Sequence, residues 1–239
     1  MGVDASRVYL SRRANTTLAF VSVDEDGERS FQFHRGADAQ LRPDEITDEY
    51  IADSQVLHFG SISMISEPSR SATLKAVKAA ERNGLTVTYD PNLRPSLWGS
   101  RKKAKNCMTA GLRRADVVKL SDEEVRFMFG SSVEEAAAEL LESADRVFIS
   151  LGKRGCYYAD RDSRGYSAPY RVEVRDTTGA GDGFMGGVIY GILNGWDIEK
   201  TASFSNAVGA LTANRLGGIP SLPTLGEVTQ LHKSILGLS

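Results

Sequence analysis

Asp176-Thr177-Thr178-Gly179-Ala180-Gly181-Asp182-Gly183-Phe184 sets a carboxylate behind a small-residue loop and ahead of an apolar run, residues 184–193, that carries no charge. A run apolar on every side reads as a buried helix, and Asn194-Gly195 closes it. Its first turn then lies near residues 179–183. Free backbone N–H groups at a helix start, with no Cβ at Gly179 or Gly181, form a concavity suited to phosphate oxygens. A carboxylate at Asp182 repels a phosphate beside it. That arrangement makes sense where the carboxylate takes a proton from a hydroxyl attacking the phosphoryl group. The same residue types also serve as ordinary helix caps around a tight glycine turn. The stretch is not a Walker loop, since no Gly-Lys-Ser/Thr follows, and Phe184 stands where a dinucleotide fingerprint needs its third glycine.

Outward from this stretch, composition removes several function classes. The chain of 239 residues can bury a sizeable core without staples, and its net charge of −2 leaves no electrostatic footprint for nucleic acid or an anionic membrane. Cys107 and Cys156 lack metal-ligand spacing and fit reduced thiols of a cytoplasmic protein. His34, His58 and His232 are isolated, and no secretory or transmembrane segment is visible.

Residues 16–23 and 28–34 alternate around Asp24-Glu25-Asp26-Gly27 and predict a β-hairpin, followed by a helical patch at 43–50. Strands are expected at 55–59, 85–89, 116–120 and 146–151, and helices at 68–82, 101–114, 122–129 and 134–142. That alternation predicts an α/β fold, doubly wound, with a mainly parallel sheet and helices on both faces. Short antiparallel strands come next within 156–174, and then two helices, the second over 198–215. In such sheets ligands bind beyond the carboxyl ends of the strands. Asp90, Asn92 and Arg94 follow one strand, Lys119, Ser121 and Glu124 the next, and Gly152 and Lys153 a third.

The stretch 176–184 closely resembles the C-terminal signature of the ribokinase-like, or PfkB, carbohydrate kinases. The resemblance implies that Gly179, Ala180 and Gly181 form the anion hole for the transferring phosphoryl group and that Asp182 is the catalytic base. Asp90-Pro91-Asn92-Leu93-Arg94 with Trp98 resembles the Asp-x-Asn-x-Arg segment of fructokinase-type members, which implies sugar binding by Asp90, Asn92 and Arg94. Arg35 resembles a family arginine near the sugar. Lys119-Leu120-Ser121-Asp122-Glu123-Glu124 resembles the nucleotide-side Asn-x-x-Glu segment, with Ser121 in place of Asn. Glu124 is then expected to organise magnesium through water, although Ser121 and Glu124 also spell a capping box.

Gly152, Lys153 and Gly155 resemble the loop that approaches the triphosphate, and Asn206 and Gly209 the helix bordering adenine, where small residues equally suit close helix packing. Asp176 and Thr178, near Gly217 and Ser221, resemble a monovalent-cation site suited to K⁺. The implied activity is an ATP- and Mg²⁺-dependent transfer to a hydroxyl of fructose or a similar small sugar. A family relative acting on a 2-keto-3-deoxy sugar acid or a nucleoside is a second reading. A non-catalytic nucleotide-binding remnant or interaction module is the reading from another class.

Family members begin with a strand bearing a sugar-binding Asp and a Gly-Gly-Asn segment, and Met1-Gly2-Val3-Asp4 already resembles a later connection. Residues 1–239 are thus expected to form a single ribokinase-like domain, N-terminally incomplete, in which 8–35 is a residual lid hairpin. The hairpin edge invites a homodimer.

Overall fold

The computed structural model describes residues 2–23 and 29–236, with side chains described for 2–21 and 32–231. Strands β1 (Leu18–Val23) and β2 (Arg29–His34) pair antiparallel, Leu18 opposite His34, as a separate two-stranded sheet. The expected turn at 24–27 and the His232 side chain lie outside the described residues.

The main sheet has six strands in the order β3 (Val56–Gly60), β4 (Thr86–Asp90), β5 (Val117–Ser121), β6 (Arg146–Ser150), β7 (Cys156–Asp160), β8 (Arg164–Ser167). The pairings from β3 to β6 are parallel, and β7 and β8 are added antiparallel. Interposed are helices α1 (Asp48–Ala52), α2 (Ser69–Arg82), α3 (Arg101–Leu112), α4 (Asp122–Met128) and α5 (Val133–Leu140). Then come α6 (Ala180–Leu193), α7 (Ile198–Ala213) and α8 (Leu225–Leu236). Nothing regular follows β8 within 168–174, so the antiparallel part is shorter than expected.

Alternation along the strands assigns the two faces. Tyr89, Val118, Leu120, Val147 and Ile149 pack with Val77 of α2, Leu112 of α3, Val125 of α4 and Leu140 of α5. Val117, Phe148 and Tyr158 point the other way, onto Phe184, Met185 and Val188 of α6 and Ile198 and Ala202 of α7. Burying side chains of this size stabilises by roughly 1.5–3 kcal/mol each, which makes these two layers the main source of stability. Helices α6 and α7 lie close because a Cβ on Gly187 would stand 2.8 Å from Ser205 Cα.

The expectation that α6 is buried on every side holds only in part. Phe184, Met185 and Val188 are buried, whereas Leu193 is 48% exposed and Gly186 faces open space. Residues 182, 186 and 193 share one helical stripe, and no described element covers it.

The parallel register brings the carboxyl ends of four strands to one edge. Gly60 stands opposite Asp90, and Ser121 opposite Ser150. The segments leaving that edge carry Asn92, Arg94, Glu124, Gly152 and Lys153, while Asp90, Lys119 and Ser121 belong to the strands themselves.

Candidate active site

The loop before α6 is tied at both ends. Arg175 and Asp176 donate their amides to the Ala213 carbonyl, at 2.8 and 3.1 Å. The Asp176 carboxylate accepts from Thr178 N at 2.8 Å and from Gly217 N at 2.9 Å, which brings the two segments of the expected cation site together. Gly179 caps α6 at φ 78°, in the left-handed region that glycine occupies freely. The first helical bond runs from Gly183 N to the Gly179 carbonyl at 2.7 Å, so the Gly181 and Asp182 amides precede the ladder. Asp182 is exposed, and its Oδ1 accepts from Asn92 Nδ2 at 3.1 Å across 90 residues of chain. The structure therefore joins the two most informative segments of the sequence at a carboxylate.

Beneath this loop lies an ion pair. Lys119 Nζ donates to Asp90 Oδ2 at 2.9 Å, and the two side chains are 6% and 4% exposed. A Cβ on Gly181 would come within 3.3 Å of that ammonium. Burial pulls the Lys119 pKa down, but the Asp90 and Glu124 carboxylates outweigh it and hold the ammonium above its ordinary value. The resemblance implies a sugar contact for Asp90 and a nucleotide contact for Lys119; in the structure the two side chains are buried against each other beneath the loops.

Glu124 is a strut as well. Its two carboxylate oxygens accept from Leu93 N at 2.7 Å and Ser121 N at 2.8 Å, and Ser121 Oγ accepts from Glu124 N at 3.1 Å. The capping box is thus formed, and it anchors the loop that carries Asn92. Burial, then the Asp90 charge, pushes the Glu124 pKa up against the pull of Lys119 and these amides.

The remaining expected residues are more dispersed. Gly152 (φ 57°) opens the turn after β6, next to exposed Lys153. Gly155 (φ 87°) has a packing reason too, since a Cβ there would meet the Ser167 carbonyl at 2.1 Å. Asn206, expected on the adenine side, is buried, and its side chain donates to the Ser167 and Ala168 carbonyls at 3.1 and 3.2 Å, so it ties α7 to the end of β8. Gly209 packs at the α6 contact, 3.3 Å from the Ala180 carbonyl to its notional Cβ. Arg35 pairs with Asp38 at 2.7 Å and donates to the Ile62 carbonyl at 3.3 Å, which docks the hairpin beside the end of β3.

Two residues escape the sequence reading. Ser61 is buried and donates through Oγ to the Pro91 carbonyl at 2.5 Å, and no motif marks it. His58 joins Thr88 Oγ1 at 2.9 Å on the face that carries Asp90; its pairing partner in β4 is the available signal. Among the described residues no cluster of His, Cys, Asp or Glu could hold a metal ion, and no helix is long and apolar enough to cross a membrane.

The pattern of the pfkB family carbohydrate kinases matches residues 1–225. "Probable fructokinase-4" of Arabidopsis thaliana is 41% identical over 97% of this chain and 75% of its own length. Among solved structures, a fructokinase from Vibrio cholerae in a fructose, ADP and calcium ion bound form superposes with a TM-score of 0.84 at 30% identity, covering 96% of this chain and 77% of that one. A fructokinase from Xylella fastidiosa with bound ATP superposes with a TM-score of 0.83, also at 30%, over 95% and 76%.

Proposed function

The chain belongs to the pfkB family of carbohydrate kinases, and on that premise we propose that it transfers the γ-phosphate of ATP to a hydroxyl of fructose, with Asp182 as the base. It is a sugar kinase, a phosphotransferase with an alcohol group as acceptor. The choice of fructose rests on similarity to fructokinases, which does not favour a sugar acid or nucleoside as acceptor, nor a non-catalytic remnant.

The observation that carries the mechanism is the exposed Asp182 carboxylate, fixed by Asn92 at the start of α6 beside amides that precede its ladder. In the proposed step the acceptor hydroxyl oxygen attacks the γ-phosphorus, the bond to the β-phosphate oxygen breaks, and ADP leaves. Asp182 receives the hydroxyl proton. The Gly179, Ala180 and Gly181 backbone holds the transferring group, with the Lys119 ammonium beneath it. Asn92 and Arg94 stand at the acceptor side, and Arg35 borders it from the hairpin. Gly152, Lys153 and Gly155 form the nucleotide-side turn.

The donor set suits phosphate better than a directly bound metal. Asp90 and Glu124 are occupied by Lys119 and by backbone amides, so magnesium would ride on the nucleotide phosphates and keep several waters, Glu124 acting through one of them. The Asp176 and Thr178 loop is a candidate for K⁺. We read residues 1–239 as one ribokinase-like unit with 8–35 as its lid hairpin. The exposed Leu18 and Phe20 on that hairpin support a homodimer, and the buried free thiols a cytoplasmic location.

Asp182→Asn tests the base, since it keeps shape and removes the proton acceptor. Fructose-dependent ADP release falls by about two to four orders of magnitude, with nucleotide affinity by calorimetry little changed. Near-normal turnover of the variant refutes the assignment.

A further inference from the structure

We propose that Asn92 is a positioning residue, whose side-chain amide fixes Asp182 Oδ1 and leaves Oδ2 to take the proton. This rests on Asp182 being the base, and it moves Asn92 out of direct sugar binding.

The orientation of the amide is dictated by its neighbours. Arg94 Nη1 stands 2.5 Å from Asn92 Oδ1, and a guanidinium only donates. The oxygen of the amide must therefore face Arg94, which turns Nδ2 toward Asp182 Oδ1 at 3.1 Å. An ionised carboxylate only accepts, so the order Arg94 to Asn92 to Asp182 is the one in which every donor meets an acceptor. Arg94 is held in turn by the Asn92 and Leu93 carbonyls, each at 3.2 Å.

The backbone under Asn92 is pinned from three elements. The Pro91 carbonyl accepts from Ser61 N and Oγ beyond β3, Asp90 Oδ1 accepts from Asn92 N at 3.2 Å, and Glu124 of α4 accepts from Leu93 N. Asn92 itself sits at φ 49°, the only non-glycine residue at positive φ among those described. Asparagine tolerates that region better than most side chains, and the residue there must also carry a donor. Asp182, by contrast, is exposed on a first helical turn with nothing packed over it, so its carboxylate needs a tether to keep one geometry.

Asn92→Gly accepts the backbone conformation and removes the amide from both Asp182 and Arg94, which keeps its bonds to the carbonyls of residues 92 and 93. We expect kcat to fall about 10- to 100-fold with the fructose KM and nucleotide affinity within about twofold of the parent, as a small misplacement of a reacting group can cost about a hundredfold. Asn92→Asp presents an acceptor to Asp182 and falls further. In the Asp182→Asn background, Asn92→Gly has no additional effect, because the two act as a unit. Full activity of Asn92→Gly, a rise in KM at unchanged kcat, or independent losses in the double variant would each overturn the proposal. Failure of the base assignment appears separately, in Asp182→Asn alone.

Discussion

Lys119 and Asp90 close a buried ion pair under Gly181, so the support for the loop that opens α6 comes from the ends of β4 and β5. Deleting one partner strands the other charge in the interior. Lys119→Met is expected to destabilise by about 3–5 kcal/mol in denaturant titration, and adding Asp90→Asn recovers most of that loss. Equal stability of the single and double variants would show that the pair is not what holds the edge.

Glu124 yields a prediction with a definite sign in pH. Its folded pKa is raised above the ordinary 4.5, first by burial and then by the Asp90 charge. Between 4.5 and the raised value the folded state binds this proton more tightly than the unfolded chain. The stability contribution of this group is therefore fully present below 4.5 and is lost as pH rises through the folded value. Comparing Glu124→Gln with the parent cancels other titrating groups. The parent gains stability relative to the variant on acidification toward 4.5, and a constant gap across that window contradicts the shift. At neutral pH the variant still costs about 1–3 kcal/mol, because a glutamine cannot accept from both Leu93 and Ser121.

Much of this edge is legible in the sequence because β/α alternation leaves few choices. Once strands end near Asp90, Leu120 and Leu151, a parallel sheet must place the loops leaving those ends on one side. Burial is harder to read. Asp90 and Lys119 look like loop residues by type, yet they lie within β4 and β5, and the pairing of those strands sets them side by side. Asn206 reads as a ligand by resemblance, and type alone does not reveal that its side chain also ties α7 to the Ser167 and Ala168 carbonyls at the end of β8. The exposed stripe of α6 is illegible for a related reason, since a uniformly apolar run does not say which face lacks a neighbour.

Gly181→Ala tests the cradle from above. A methyl group 3.3 Å from Lys119 Nζ needs the ammonium or the loop to yield by a few tenths of an ångström, and it intrudes where phosphate oxygens are expected. Turnover is expected to drop by about a hundredfold or more, the scale of losing one oxyanion donor, while the melting temperature changes little. A variant as active as the parent would mean that the phosphoryl group lies elsewhere.

Gly155→Ala probes the turn after β6 on the nucleotide side. The residue sits at φ 87° with the Ser167 carbonyl 2.1 Å from the notional Cβ, so the change strains the backbone and drives β7 and β8 apart. A loss of at least about 2 kcal/mol is expected in denaturant titration, whereas Gly152→Ala, with open space around it, costs about 1 kcal/mol from φ alone. Equal costs at both positions would remove the packing argument.

Magnesium dependence should also reflect how the carboxylates at this edge are already engaged. Asp90 faces Lys119, Glu124 faces two amides, and Asp182 is exposed and bonded to Asn92, which is a poor ligand set for a cation that demands octahedral oxygen donors. Magnesium alone at millimolar concentration should leave the melting temperature unchanged. ATP with magnesium should raise it, by the equivalent of about 2.7 kcal/mol when the nucleotide is present at a hundred times its dissociation constant. ATP with a chelator should stabilise less, since the phosphates then meet Asp182 without their counter-ion. Thermal unfolding with each addition separates the cases: stabilisation by magnesium alone would reveal a protein-borne metal site, and none by the magnesium–ATP pair would remove the anion loop from nucleotide binding.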